Sequence, residues 1–439
     1  MASRRQWLRR LVVYPFLAIA LIVASAVAFY ETTLYRPAPA HRGVLALIGS
    51  TVLAGPELEP MANATVLVKD GVITQIGTGI AVPPGAETID LAGHTVLPGL
   101  IDSHIHFGAP ALERGQEPGL FTGPRIVVDW VRSFPGKRRD FLAHGVTSVR
   151  SMGDEYPWIW DVRRSVAEGK IEGPRFFIAG PLFTTRGGHP VVTIGVDPAS
   201  GTVRIPSSPT QARQVVRQLV TGADPVDLIK VVQERGNPDR RTLQPIDPQI
   251  LEAIVNEAHS YDVPVFAHWG TFEDLREVLT ARVDGVDHLE PRGAGDGWPR
   301  GVMETIIERG VTLAPTLAVT EVALPAEVHG DLRDRVGEFH RAGGRVIGGS
   351  DTGVPGVFPG TGLIRELELL VDAGLSPRAA LIAATSTAAE ALHADHIGTI
   401  SPGRAADLLV VAGDPLADIS AVRSVQLVLR DGRVVVDNS

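Results

Sequence analysis

Apolar and polar positions follow distinct regimes along this chain, and each regime predicts a different element. Residues 11–30 read LVVYPFLAIALIVASAVAFY, a run of apolar and small side chains with no polar face, which predicts an N-terminal apolar helix. From 43 to 96, short alternating runs such as Ala64-Thr-Val-Leu-Val-Lys and Val72-Ile-Thr-Gln-Ile are broken by turn residues. The Asp70-Gly71 between those two runs is a hairpin signal. From 400 to 439 the same texture returns in Ala406-Asp-Leu-Leu-Val-Val and Val425-Gln-Leu-Val-Leu, followed by Asp431-Gly432 and Arg433-Val-Val-Val. Two strand-rich ends flanking a long middle predict one small β-sandwich domain built from both ends.

The middle, 97–399, alternates apolar runs with amphipathic stretches. Strands are expected at 96–101, 147–150, 175–179, 227–232, 263–267, 285–288, 312–317 and 345–349. Helix-like stretches at 211–220, 249–260, 272–281 and 302–308 lie between several of them. Eight such strands fit a closed (β/α)8 TIM-like barrel of the α/β class, with functional residues at the C-terminal strand ends. An open doubly wound sheet shares this local pattern, but no Gly-x-Gly-x-x-Gly or phosphate loop accompanies it. Residues 31–42 (ETTLYRPAPAHR) lack periodicity and read as a linker after the segment 1–30.

Composition narrows the chemistry. The absence of cysteine from all 439 residues excludes disulfides, thiolate metal sites and a thiol nucleophile. A net charge of -9, with no basic tract beyond the N-terminus, argues against nucleic acid as a partner.

Six scattered residues then stand out because each closes a short apolar run: His104, His106, Lys230, His268, His288 and Asp351. His104 and His106 lie two positions apart, so on a strand their imidazoles share a face. Imidazole is the commonest protein metal ligand near neutral pH. Lys230 ends Val226-Asp-Leu-Ile-Lys, His268 ends Val263-Pro-Val-Phe-Ala-His, and His288 ends Gly285-Val-Asp-His. Asp351 stands in Ile347-Gly-Gly-Ser-Asp-Thr-Gly. Singly, each has an ordinary structural reading: a snorkelling lysine, a bonded core histidine, a turn-bracing aspartate. Jointly, at the ends of strands one, four, five, six and eight, they predict a metal centre.

These residues belong to larger motifs: Pro98-Gly-Leu-Ile-Asp-Ser-His-Ile-His, Gly187-Gly-His189, Ile-Lys230, Ala267-His268, Asp287-His288, Ser350-Asp351 and Ile400-Ser-Pro-Gly-Arg-Ala-Ala-Asp-Leu-Leu-Val. Across residues 43–439 the chain thereby resembles the amidohydrolase superfamily of metal-dependent hydrolases. The similar branch holds imidazolonepropionase-like proteins and metal-dependent Xaa-Pro dipeptidases. The resemblance implies one ion held by His104, His106 and Asp351, and a second held by His268 and His288. A CO2-derived carbamate on Lys230 would bridge them. Imidazolonepropionases lack this lysine and use one metal, so Lys230 points to two divalent ions. Zinc is the first choice for such a donor set, with manganese, iron or cobalt also compatible.

The implied reaction is hydrolysis of an amide or peptide-type C–N bond in a dipeptide, N-acyl amino acid or cyclic amide. A hydroxide between the ions attacks, and Asp351 serves as general base and then acid. An ester or lactone hydrolase with the same site is the alternative, and a non-catalytic scaffold is at odds with six retained residues. His189 is a candidate for catalysis and substrate contact, and Arg186 for substrate contact, both in Thr184-Thr-Arg-Gly-Gly-His. Arg150, closing strand two, reads as a structural ion-pair partner. After Lys230, Val231-Val-Gln-Glu-Arg-Gly replaces the glycine-rich segment of similar dipeptidases, and 113–137 matches poorly. Those loops shape the pocket, so the substrate does not carry over.

Arg4, Arg5, Arg9 and Arg10 precede the apolar run, an orientation that carries the rest of the chain across a membrane. Ser3-Arg4-Arg5-Gln6-Trp7-Leu8-Arg9 resembles a twin-arginine export signal. Ala24-Ser-Ala26 and Ala26-Val-Ala28 resemble signal-peptidase sites, which leaves both a cleaved signal and a retained transmembrane anchor open. The expected location is the periplasmic or extracellular side, and the oligomeric state is open.

Overall fold

The computed structural model describes residues 12–29, 37, 43–109, 135–291 and 294–439. The twin-arginine segment, nearly all of the linker and most of 113–137 lie outside the described residues.

Eight parallel strands occupy the middle of the chain: Leu100–Ile105, Val146–Ser151, Arg175–Ile178, Ile229–Gln233, Val265–Trp269, Gly285–Asp287, Thr312–Ala314 and Arg345–Val346. The first three pair in order, as do the last five. Hydrogen bonds at both seams join the sets into a ring. Asp227 donates its N–H to the Ile178 carbonyl at 3.0 Å, and Ser103 donates to the Gly348 carbonyl at 2.8 Å. Strands one, two and four are buried at every position, as parallel strands covered on both faces must be.

The outer helices start where local chemistry allows. Ser208, Asp247 and Thr271 accept from the N–H groups of Gln211, Gln249 and Asp274, capping Pro209–Thr221, Pro248–His259 and Phe272–Ala281. Proline in the first turn of the first two presets the helical φ. In Pro248–His259 the buried Leu251, Ile254, Val255 and Ala258 recur at helical spacing and face the barrel.

One strand expectation is corrected. The apolar run 96–101 is shared between two sheets: His94–Pro98 pairs antiparallel with Leu408–Ala412, and the barrel strand begins at Leu100. Gly99, whose N–H donates to the Asp407 carbonyl at 2.8 Å, marks the crossing. An uninterrupted apolar run carries no sign of a change in partner.

Both chain ends do combine, but as one continuous mixed sheet rather than two separate facing sheets. Val44–Ala54 bends at Gly49, where its register against Glu59–Lys69 shifts. Before the bend it pairs with Glu87–Asp90, and after it with His94–Pro98. Alternation then divides the side chains. Val96, Leu408, Val410, Leu427 and Leu429 fill the sheet's own core, while Leu97, Leu409, Val411 and Val428 join the barrel core.

The N-terminal helix spans Tyr14–Phe29, with exposed apolar side chains such as Phe16 and Leu21. Its 16 residues rise roughly 24 Å, against about 30 Å of bilayer hydrocarbon. Among the described residues no helix is long and apolar enough to cross a membrane, and both ends of the expected span, Leu11 and Tyr30, lie outside the described residues.

Candidate metal centre

The first barrel strand delivers His104 into the interior, fully buried, and His106 follows just beyond it. The turn after the eighth strand brings Asp351, whose N–H donates to the His104 carbonyl at 2.8 Å. Asp351 Oδ1 lies 3.6 Å from His104 Nε2 and 3.4 Å from His106 Nε2, and its Oδ2 lies 3.8 Å from His288 Nδ1. The rings of His104 and His288 are 4.7 Å apart, and those of His268 and His288 are 5.0 Å apart. His288, Thr316 and Asp351 all hold positive φ, at 68°, 52° and 58°. Such backbone costs about 1–3 kcal/mol per residue and persists where a site demands it.

His104, His288 and Asp351 offer ligand atoms that all lie within 4.8 Å of one another. Nε2 of His104 and Oδ1 of Asp351 are buried without a hydrogen-bond partner among the described residues. Buried polar atoms are costly when unpaired, and a nitrogen–oxygen set of this kind fits a divalent cation. Burial also lowers the imidazolium pKa of His104 to about 4 and pushes that of His288 well down, so both rings are neutral donors.

Lys230 meets the centre through a residue that sequence reasoning missed. Its Nζ donates to Oδ2 of Asp287, and both residues are buried. Oδ1 of Asp287 accepts from Arg150 Nη2 at 2.9 Å and lies 3.3 Å from His104 Nδ1. Burial alone would raise the Asp287 pKa, but Lys230, His104 and Arg150 together hold it well below the usual range. Arg150 thus takes the ion-pair role expected of it, with its guanidinium 4.0 Å over the Phe266 ring and its Nε on the Ser103 carbonyl.

Other supports were also hidden. Asp102 accepts from Ser350 Oγ at 2.6 Å, Ser350 N at 2.9 Å and His104 N at 3.3 Å, tying strand one to the Asp351 turn. Its complete burial raises its pKa to about 7. Thr316 Oγ1 lies 2.8 Å from His288 Nδ1. Behind it, Glu366 accepts from Ala318 N at 2.7 Å, and burial lifts this carboxyl to about 8. The available signal was a carboxylate inside an apolar strand, as in Leu-Ile-Asp102 and Gly-Val-Asp287, since such a group requires partners.

Of the two loop candidates, His189 packs against a histidine of the centre. The His189 ring stacks on His268 at 5.1 Å and 10°, with Nδ1 2.6 Å from Thr193 Oγ1. Burial, aided by His268, lowers its pKa to about 4. Arg186 is exposed on the same loop.

Known proteins share this architecture. The chain is 25% identical over 407 residues to the ochratoxinase of Aspergillus niger, covering 82% of this chain and 80% of that protein. A Xaa-Pro dipeptidase with methionine bound in its active site matches with a TM-score of 0.75 and 25% identity, over 89% of this chain and 99% of that one. Phenylurea hydrolase B, at 20% identity, shares the fold with a TM-score of 0.76 over 90% of this chain and 97% of its own. The Amidohydrolase family model matches residues 95–435. That match runs from the strand ahead of His104 into the final strand and takes in every residue of the centre, so the protein belongs to the amidohydrolase family, hydrolases that act on carbon–nitrogen bonds.

Proposed function

We propose that this chain is a binuclear metallohydrolase that cleaves an amide- or peptide-type carbon–nitrogen bond. The observation that carries this reading is the convergence of His104, His288 and Asp351, with buried donor atoms that lack partners among the described residues. In it, His104, His106 and Asp351 would hold one divalent ion and His268 and His288 a second, and Lys230, as a CO2-derived carbamate, would supply a further oxygen donor. Zinc is the ion of first choice for these donors. When bound, the ions supply an activated water and Lewis-acid polarisation of the scissile carbonyl. Asp351 takes a proton from the attacking water and passes it to the departing amine. His189, stacked on His268, and Arg186 on the same loop orient the substrate.

The likeness to a Xaa-Pro dipeptidase and to ochratoxinase supports dipeptides and N-acyl amino acids as the first substrates to try. Metal analysis of the purified enzyme should find about two ions per chain, with a modified Lys230 by mass spectrometry under CO2. One ion and an unmodified lysine overturn the binuclear reading. In a panel of dipeptides, N-acyl amino acids and lactones, kcat/KM should be highest for an amide; a lactone preference overturns the amide assignment.

We also infer export, on the strength of the arginines that precede the exposed apolar helix Tyr14–Phe29. Replacing Arg4 and Arg5 by Lys should leave the enzyme in the cytoplasm, and unchanged export overturns the twin-arginine route.

A further inference from the structure

The fourth barrel strand runs into a loop whose outward side chains are clamped. Gln233 is buried, donates its side-chain N–H to the Ile246 carbonyl at 3.1 Å, and accepts from Ile246 N at 2.9 Å. It also donates to Glu277 Oε2 at 2.6 Å. Arg235 donates its backbone N–H to Asp274 at 3.1 Å, and its guanidinium pairs with Glu277 at 2.5 Å. Side chains alternate along extended backbone, so fixing Gln233 and Arg235 toward the helix Phe272–Ala281 turns Glu234 the other way. That is the side of Lys230, four residues earlier.

Strand five makes the room. Val232 pairs with His268 and Gln233 with Trp269, so Glu234 runs beside Gly270. A Cβ on Gly270 would fall 2.2 Å from Glu234 Cγ, which means that a side chain there would displace the glutamate. Glu234 ends with Oε2 at ion-pair distance, 3.3 Å, from Nε2 of His268, each side chain 20% exposed.

We propose that Glu234 is a positioning residue: it holds the Nε2 proton of His268 and so presents Nδ1 to the second ion. This rests on the binuclear reading. An imidazole gives one nitrogen to a metal and the other to an outer partner, and that partner sets the tautomer and the ring orientation. His288 is engaged at its other ring nitrogen, Nδ1, by Thr316. A carboxylate partner also strengthens the basicity of His268 toward a cation.

The test compares wild type, Glu234→Ala and Glu234→Gln as full-length enzyme in zinc-buffered solutions, measuring bound zinc, kcat and KM, and the melting temperature of the metal-free proteins. Wild type should bind two ions. Glu234→Ala should keep the first and bind the second about 10–100-fold more weakly, with kcat tracking occupancy, recovering at high zinc, and KM little changed. Glu234→Gln, whose amide carbonyl can accept the same proton, should recover most of that affinity. An alanine variant with wild-type affinity for both ions overturns the assignment of Glu234 alone. So does a glutamine variant that loses the second ion as fully as alanine, which would make Glu234 a ligand itself. A lower metal-free melting temperature with zinc affinity unchanged is the purely structural outcome and also overturns it. A wild type that binds a single ion overturns the binuclear reading and this inference together.

Discussion

Asp351 is joined to His104 twice: its backbone N–H donates to the His104 carbonyl at 2.8 Å, and its Oδ1 lies 3.6 Å from His104 Nε2. The first of these contacts lies along the seam where the eighth strand meets the first. Closing the barrel and assembling the centre are therefore the same event, so a variant damages chemistry without damaging the fold only where it keeps the backbone bond.

Asp351→Asn retains the backbone bond and nearly the same volume but loses the anionic oxygen. With the proposed role of Asp351 as proton carrier, kcat should fall by about 10²–10⁴-fold, while the metal-free melting temperature stays near that of wild type. Steady-state kinetics paired with thermal unfolding of the metal-free protein checks both halves.

Arg150→Leu strips one of the cations from the buried Asp287 carboxylate. Removing one partner of a buried ion pair costs about 3–5 kcal/mol, and in the metal-free protein, where Lys230 keeps its amine, its surviving contact places this loss toward the lower end. Arg150→Lys should restore little, because one planar guanidinium serves Asp287, the Ser103 carbonyl and the Phe266 face together. Urea unfolding measures this, and a loss under about 1 kcal/mol would contradict a destabilised buried carboxylate.

Two Asp-Gly hairpin tips abut where the chain ends meet. Ala406 donates to the Gly71 carbonyl at 2.8 Å and Gly432 donates to the Ala406 carbonyl at 3.0 Å. Gly71 has φ +79°, and a Cβ there would lie 2.9 Å from the Asp431 carbonyl oxygen. Gly55, at φ +66°, has open space around the same position. Gly55→Ala should cost only the left-handed backbone term of about 1–2 kcal/mol, and Gly71→Ala clearly more. Denaturant midpoints of the two variants separate clash from conformational cost.

The surface pair Glu321 and Arg365 gives stability a pH dependence. The hydrogen bond from Arg365 lowers the Glu321 pKa below its ordinary value, against the opposing effect of burial. A carboxylate with a depressed folded-state pKa contributes stability above its unfolded value, near about 4.3, and loses it as pH falls through the folded value. Wild type should therefore melt above Glu321→Gln at neutral pH, with the gap closing in acid. A gap that widens on acidification would reverse the sign of this linkage. The exposed setting makes the effect small.

The residues of the centre were legible to different degrees. His104, His106, His268, His288 and Asp351 each interrupt an apolar run, and such an interruption is visible in one dimension. The partners of those residues were not visible, because a contact between neighbouring strands has no period along the chain. Asp287 stood in plain view beside His288, yet its link to Lys230 and Arg150 depends on strands two, four and six pointing into one interior. Glu234 lay in a stretch noted only as a departure from similar proteins, and nothing local reveals that Gly270 leaves space for it.

The order of strands and helices, the joining of strands from both chain ends and the chain positions of the candidate ligands were legible in the sequence itself, through side-chain periodicity and the interruption of apolar runs. Tertiary structure alone decided that the run 96–101 serves two sheets, that the terminal sheet is continuous and bent at Gly49, and that Thr316 and Glu234 stand beside His288 and His268. Those outcomes depend on register between distant strands, and register is set by closure and packing rather than by any residue's own preference.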